Sequence, residues 1–174
     1  MLSVPDKVPV IQLTKRGDYG VLAVYYIAQH FKGTFISIET ISKKTEVPKP
    51  YLSKILQDLC RGGILVSRRG SGGGFALARS AWEVSLKDII DIIEGKMNIV
   101  SCLHAPDQCS RVNECVIAPF WGAIQGFIDE LIGKITIADL ITHEKRHDML
   151  LLLETCRNPV SYTHLRAHET PEHL

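Results

Sequence analysis

The sequence predicts a mainly α-helical chain with one small β-hairpin. Three observations lead there. Two short amphipathic segments, 37–47 and 49–61, are separated only by Pro48. They run directly into "ILVSRRGSGGGFAL", where two short apolar runs flank a glycine-rich tip. Farther on, "PFWGAIQGFIDELIGKI" repeats apolar residues at alternating steps of three and four, the seam of a packed long helix.

The elements follow in order. "TKRGDYGVLAVYYIAQHF", residues 14–31, carries apolar residues at helical spacing, among them Tyr19, Leu22 and Tyr26. Thr14 is its expected N-cap, because a hydroxyl can accept an orphan N–H of the first turn, and Gly33 its expected end. Ser37 caps a second helix, with Glu39 in the first turn where the helix dipole favours a carboxylate, and Val47-Pro48 stops it. "KPYLSKILQDLC" is the third. Pro50 suits its first turn, and Leu52, Ile55, Leu56 and Leu59 form a buried stripe at i, i+3, i+4 and i+7. Gly62-Gly63 ends it.

Ile64–Arg69 and Phe75–Leu77 read as two antiparallel strands around the tip Gly70–Gly74. Two short helices at turn spacing followed by a hairpin make the winged helix-turn-helix pattern. "SLKDIIDIIEG" is an amphipathic helix capped by Ser85, with Leu86, Ile89, Ile90 and Ile93 on one face. The long helix starts at Pro119, and Trp121, Ile124, Ile128, Leu131 and Ile135 form its seam. So apolar a helix is expected to dimerise, since helix-turn-helix proteins commonly read paired half-sites as dimers. "THEKRHDMLLLLETCRNPV" reads as one more helix. "SYTHLRAHETPEHL", residues 161–174, has little periodicity and is expected to be disordered or foreign to the fold.

The organisation expected is therefore a winged helix-turn-helix over 12–80, then a linker helix, a cysteine loop at 102–115 and a dimerisation helix at 119–135 within 81–142, then an extension over 143–174. A composition of 45% hydrophobic and 22% charged residues can build a core. No apolar run reaches the ~18 residues that span a bilayer. The start "MLSVPDKVPV" lacks the basic and apolar regions of a signal peptide, which makes a soluble, cytoplasmic chain the expectation.

Charge is divided. Residues 11–80 carry eleven Lys and Arg against four Asp and Glu, while residues 81–174 carry eight against fourteen. A basic front half joined to an acidic back half points to a polyanion-binding module. Within it, Ser53, Lys54 and Gln57 can face base edges, and Lys49 and Tyr51 sit at a helix N-terminus suited to phosphate. Arg68 and Arg69 precede a glycine tip whose backbone can approach DNA closely. "GSGGG" lacks the lysine of a phosphate-binding loop, and no paired catalytic carboxylates or nucleophile elbow occur, so an enzyme is not expected.

"CLHAPDQCSRVNEC" places Cys102, Cys109 and Cys115 in one loop, with six and five residues between them. Three thiolates and one further ligand satisfy either zinc or an iron–sulfur cluster. Structural zinc sites favour pairs two to four residues apart, so the wider spacing suits a larger object. Free thiols are the plain alternative. Cys60 and Cys156 read as structural.

These pieces resemble the iron–sulfur winged-helix regulators of the Rrf-two family, which include IscR and NsrR. The resemblance covers roughly residues 12–142 and rests on "LTKRGDYGVLAVYYIA", "VPKPYLSKILQDLCRGGILVSRRGSGGGFAL", the cysteine triplet and "ITIADLI". It implies a homodimer on operator DNA, crossed through the long helix, whose DNA affinity follows cluster state. It implies Cys102, Cys109 and Cys115 as cluster ligands. IscR completes its site with a histidine three residues after the last cysteine, where this chain has Ala118. NsrR-like members use an aspartate of the first helix from the partner subunit, and Asp18 falls at that position, with His104 the rival. A 4Fe–4S cluster is favoured and 2Fe–2S is the alternative. Arg69 matches the wing arginine that enters the minor groove. Ser53 stands where IscR has a base-discriminating glutamate, so operator sequence does not carry over.

Overall fold

The structure, a computed structural model, describes residues 13–31, 33–100, 114–142, 145–148 and 150–151. Helix α1 spans Lys15–His30. Thr14 caps it as expected, its Oγ1 accepting from the Arg16 and Gly17 N–H groups at 3.1 and 3.4 Å. Phe31 is already extended, so the helix stops before Gly33, which lies in the connection at φ +80°. Helix α2, Ile38–Thr45, starts at the Ser37 cap, whose Oγ accepts from Thr40 N at 3.2 Å. It ends where Glu46 turns left-handed, one residue ahead of Val47-Pro48. Helix α3, Lys49–Arg61, follows directly with Pro50 in its first turn.

Strands β1, Leu65–Arg68, and β2, Gly74–Leu77, pair antiparallel, with Leu65 opposite Leu77 and Arg68 opposite Gly74. A third partner completes the wing. Ile36, just before α2, exchanges both backbone hydrogen bonds with Phe75, at 2.9 and 2.8 Å. A short 3-10 turn, Ala81–Glu83, leads to α4, Leu86–Glu94. Both are held by reciprocal capping boxes, Ser80 with Glu83 and Ser85 with Asp88.

Helix α5 spans Ala118–Lys134 and α6 Ile137–Ile141. Residues 135–137 run back against 84–86: Leu86 donates to the Ile135 carbonyl at 2.8 Å and Ile137 to that of Val84 at 2.9 Å. One apolar cluster then takes in Val24 and Ile27 of α1, Leu52, Ile55, Leu56 and Leu59 of α3, Ile64 and Leu65, Ile89 and Ile93 of α4, and Ile137. Each such side chain contributes roughly 1.5–3 kcal/mol by leaving water. Gly20 lets α1 and α4 close up, since a Cβ there would stand 1.9 Å from Ile93 Cδ1.

Polar contacts fix how α3 sits. Arg16 of α1 donates through Nη1 to the Ile93 carbonyl at the end of α4, at 2.9 Å, and pairs through Nη2 with Asp58 of α3. Asp58 also pairs with Arg61, one helical turn on. Thr14 reaches Glu94 in the last turn of α4. The reading helix is thus tied to α1, and α1 to the end of α4.

Helix α5 differs from the others, because none of its residues is buried. Gln125 ties it to the segment after α4, accepting from Ile99 N at 2.9 Å and donating to the Met97 carbonyl at 3.0 Å. Its free apolar face is led by Phe120, Ile124 and Phe127, all exposed. Trp121, Ile128 and Leu131 of the expected seam are half-buried within the chain. Ile135 leaves the seam altogether. It is the C-cap of α5 and is buried in the chain's own packing where the backbone returns to Leu86.

Candidate nucleic-acid interface

Helix α3 turns its leucines and isoleucine inward and leaves a polar face outward. Lys49, Tyr51, Lys54 and Gln57 are exposed and Ser53 is half-exposed. Tyr51 keeps 65% of its surface, which suits a contact residue better than a core one. Gln57 lies one turn above Ser53, Nε2 to Oγ 3.5 Å, so the two form a pair of donors and acceptors on one face. No side chain caps α3, because its N-cap is Pro48. Its N-terminus therefore offers a positive dipole end to a phosphate. Lys49 sits there and pairs with Glu39 at 3.2 Å across the turn. The Glu39 carboxyl is held below its usual range by its own backbone N–H at the start of α2 and by the Lys49 hydrogen bond.

The wing stands beside this face. An open cleft of about 870 Å³ runs between them, lined by Gln57, Arg61, Arg68, Arg69 and the glycine tip. The two wing arginines differ. Arg68 lies over the Phe35 ring, 4.4 Å from its centre, and donates to the Gly72 carbonyl at 2.9 Å. Arg69 has no hydrogen-bond or ion-pair partner among the described residues. Cys60 lies at the floor of the cleft, half-buried. Burial pushes its thiol upward, against a smaller opposing effect of the Ser67 hydroxyl. That fits a structural thiol.

The chain's sequence order thus brings five α3 residues and two wing arginines to one basic side of the molecule. Sequence reasoning missed Arg61 at the cleft wall and Phe35 under Arg68. Neither has a periodic signal, since one lies past the apolar stripe and the other in a connection. The Ile36–Phe75 bridge was also missed, because a single paired residue has no alternating pattern to find.

Of the expected cluster ligands, Cys102 and Cys109 lie outside the described residues, as does His104. Cys115 is half-buried and unpaired, three residues before α5. Asp18 is exposed in the first turn of α1, next to Thr14 and Lys15. No group of three metal-ligating side chains occurs among the described residues. Among them too, no helix is long and apolar enough to cross a membrane.

Comparison with known proteins agrees with this geometry. Residues 13–143 match the Rrf2 family, described as iron-dependent transcriptional regulators. An Aquifex aeolicus protein, named as a candidate HTH-type transcriptional regulator, is 30% identical over 131 residues, covering 74% of this chain and 90% of that one. The solved structure of T. potens IscR superimposes with a TM-score of 0.60 at 27% identity, over 87% of this chain and 95% of that one. The oxidised form of Staphylococcus aureus CymR shares the fold, with a TM-score of 0.60 at 21% identity over 76% of this chain and 98% of that one. This chain therefore belongs to the Rrf2 family of DNA-binding transcriptional regulators and is not an enzyme.

Proposed function

We propose that this regulator is a homodimer whose hold on operator DNA is controlled by an iron–sulfur cluster, most simply as a repressor. Residues 12–80 read DNA, and residues 81–142 carry the cluster loop and the dimer helix. The observation that carries the reading is the Cys102–Cys109–Cys115 triplet running straight into α5, the helix with a free apolar face.

The donor set fits a cluster. Cys102, Cys109 and Cys115 would supply three soft thiolates, and Asp18 of the partner subunit a hard carboxylate. Asp18 is exposed and so can serve a second chain. When bound, the cluster would supply a redox- and nitric-oxide-sensitive group with one weakly held corner. The chain's own residues transmit its presence. Cys115 adjoins α5, α5 is tied to residues 97–99 through Gln125, and α4 is tied to α1 and α3 through Arg16 and Asp58. A change at the loop can thus reset the angle between two reading heads.

On the DNA side, Lys49 and the α3 N-terminus take phosphate, Tyr51, Ser53, Lys54 and Gln57 meet the major groove, and Arg69 enters from the wing. A second reading keeps the DNA half and replaces the cluster by zinc or by oxidation of bare thiols. The shared fold with an oxidised CymR favours keeping it in view. The test is anaerobic purification of wild type and of Cys102→Ser, Cys109→Ser and Cys115→Ser, with iron, zinc and sulfide assays. The cluster reading expects matched iron and sulfide in wild type and their loss in each variant. Zinc without sulfide, or no metal, replaces it with the second reading. Asp18→Ala is expected to leave a dimer with a shorter-lived cluster, and an unchanged cluster lifetime removes Asp18 from the ligand set.

A further inference from the structure

Arg68 and Arg69 are adjacent in sequence, yet the structure engages only one of them. The Arg68 guanidinium is held on both sides, by the Phe35 ring below and by the Gly72 carbonyl at 2.9 Å. Phe35 directly precedes Ile36, whose backbone bridges Phe75. Arg68 therefore joins the end of β1, the wing tip and the α1–α2 connection. Arg69 has no such partner among the described residues.

The tip needs an anchor. Gly70 and Gly72 adopt φ +95° and +77°, and Gly73 packs so closely on the Arg68 carbonyl that a Cβ would stand 2.3 Å from it. Such a run of glycines makes a tight turn, but it loses more backbone freedom on ordering than any other sequence would. A tip left loose must lose that freedom when DNA binds, which weakens binding. A planar guanidinium, stacked on a ring and donating to a tip carbonyl, fixes the turn beforehand.

We propose that Arg68 is a positioning residue: it fastens the glycine tip to Phe35 and leaves Arg69 as the wing's contact with DNA. This replaces the direct contact that sequence alone suggests for Arg68. It rests on DNA binding and not on the cluster.

The test uses the full chain and a duplex that the wild-type protein enriches from a random-sequence library. Affinity is measured across salt for wild type, Arg68→Gln, Arg68→Lys, Phe35→Leu and Arg69→Gln, and amide exchange is followed at the tip. Arg69→Gln should lower the salt slope by about 0.9, the loss of one phosphate contact. Arg68→Gln, Arg68→Lys and Phe35→Leu should each weaken binding several-fold to about tenfold with the wild-type slope, and should speed exchange at Gly72 and Gly74. Phe35→Leu with Arg68→Gln should be no worse than either alone. Arg68→Lys keeps the charge and changes least in the fold. If it binds as wild type while Arg68→Gln lowers the slope like Arg69→Gln, Arg68 is itself a phosphate contact and the proposal fails. It fails equally if Arg68→Gln binds as wild type at every salt concentration.

Discussion

Gly74→Ala tests how the wing is joined to the body. Gly74 opens β2 at φ +150°, where an L side chain is strained. An added Cβ would stand 2.3 Å from the Ile36 carbonyl oxygen and 2.5 Å from its carbon, both backbone atoms. A flexible side chain could move aside, but here the Ile36–Phe75 bridge itself must open. Its two hydrogen bonds, 2.9 and 2.8 Å, contribute about 1 kcal/mol each. The backbone strain adds at least about 1 kcal/mol. Together these give roughly 3 kcal/mol, which for a chain of this size lowers Tm by roughly 6–12 °C. Gly72→Ala is the internal control. It carries the positive φ of +77° but meets nothing within 4 Å, so strain alone acts and Tm should fall by about 2–4 °C. Both variants are measured by circular-dichroism melts, with DNA affinity alongside. Equal shifts for the two, or a Gly74→Ala melt within about 2 °C of wild type, would refute the argument that the bridge holds the wing.

Other outcomes follow from the same contacts. Leu56→Ala, at a fully buried site of α3, should cost about 2–5 kcal/mol in denaturant unfolding. A loss below about 1 kcal/mol would mean that the core closes over the cavity. Phe120→Asp with Phe127→Asp should leave the fold intact and yield a monomer in light scattering, whereas a wild-type-like dimer would place the contact elsewhere. Cys60 should be slow to react with iodoacetamide. Burial raises its pKa, so the folded chain holds less thiolate than the unfolded one until pH passes the raised value. The neutral thiol's stabilising effect is present below the unfolded pKa and is lost as pH rises through the folded one. Alkylation at pH 8 as fast as in the unfolded chain would contradict this.

Much of the fold was legible because its signals are local. The stripe Leu52–Leu59, the caps Thr14, Ser37 and Ser85, and the glycine tip each act within a turn or two. The Ile36 bridge and the return of 135–137 against 84–86 were not legible, since each joins segments far apart through backbone alone. The helix seam shows the same limit. Periodicity found the apolar positions of α5 but could not divide them between its own chain and a partner. The structure takes in Ile135 and leaves Phe120 and Phe127 outside. The DNA face was readable as residue types on α3, while the unequal engagement of Arg68 and Arg69 depends on Phe35, more than thirty positions earlier. The cysteine triplet was readable only as a donor set.

The most direct test of the central claim couples cluster content to DNA binding in one sample. Anaerobically purified protein is assayed for iron and sulfide, titrated with duplex selected by the protein itself, then stripped of iron and titrated again. The account predicts matched iron and sulfide and a change in affinity of at least tenfold between the two states, the range of ordinary allosteric coupling of about 1–3 kcal/mol. Sulfide-free protein after reconstitution, or equal affinities before and after stripping, would contradict it.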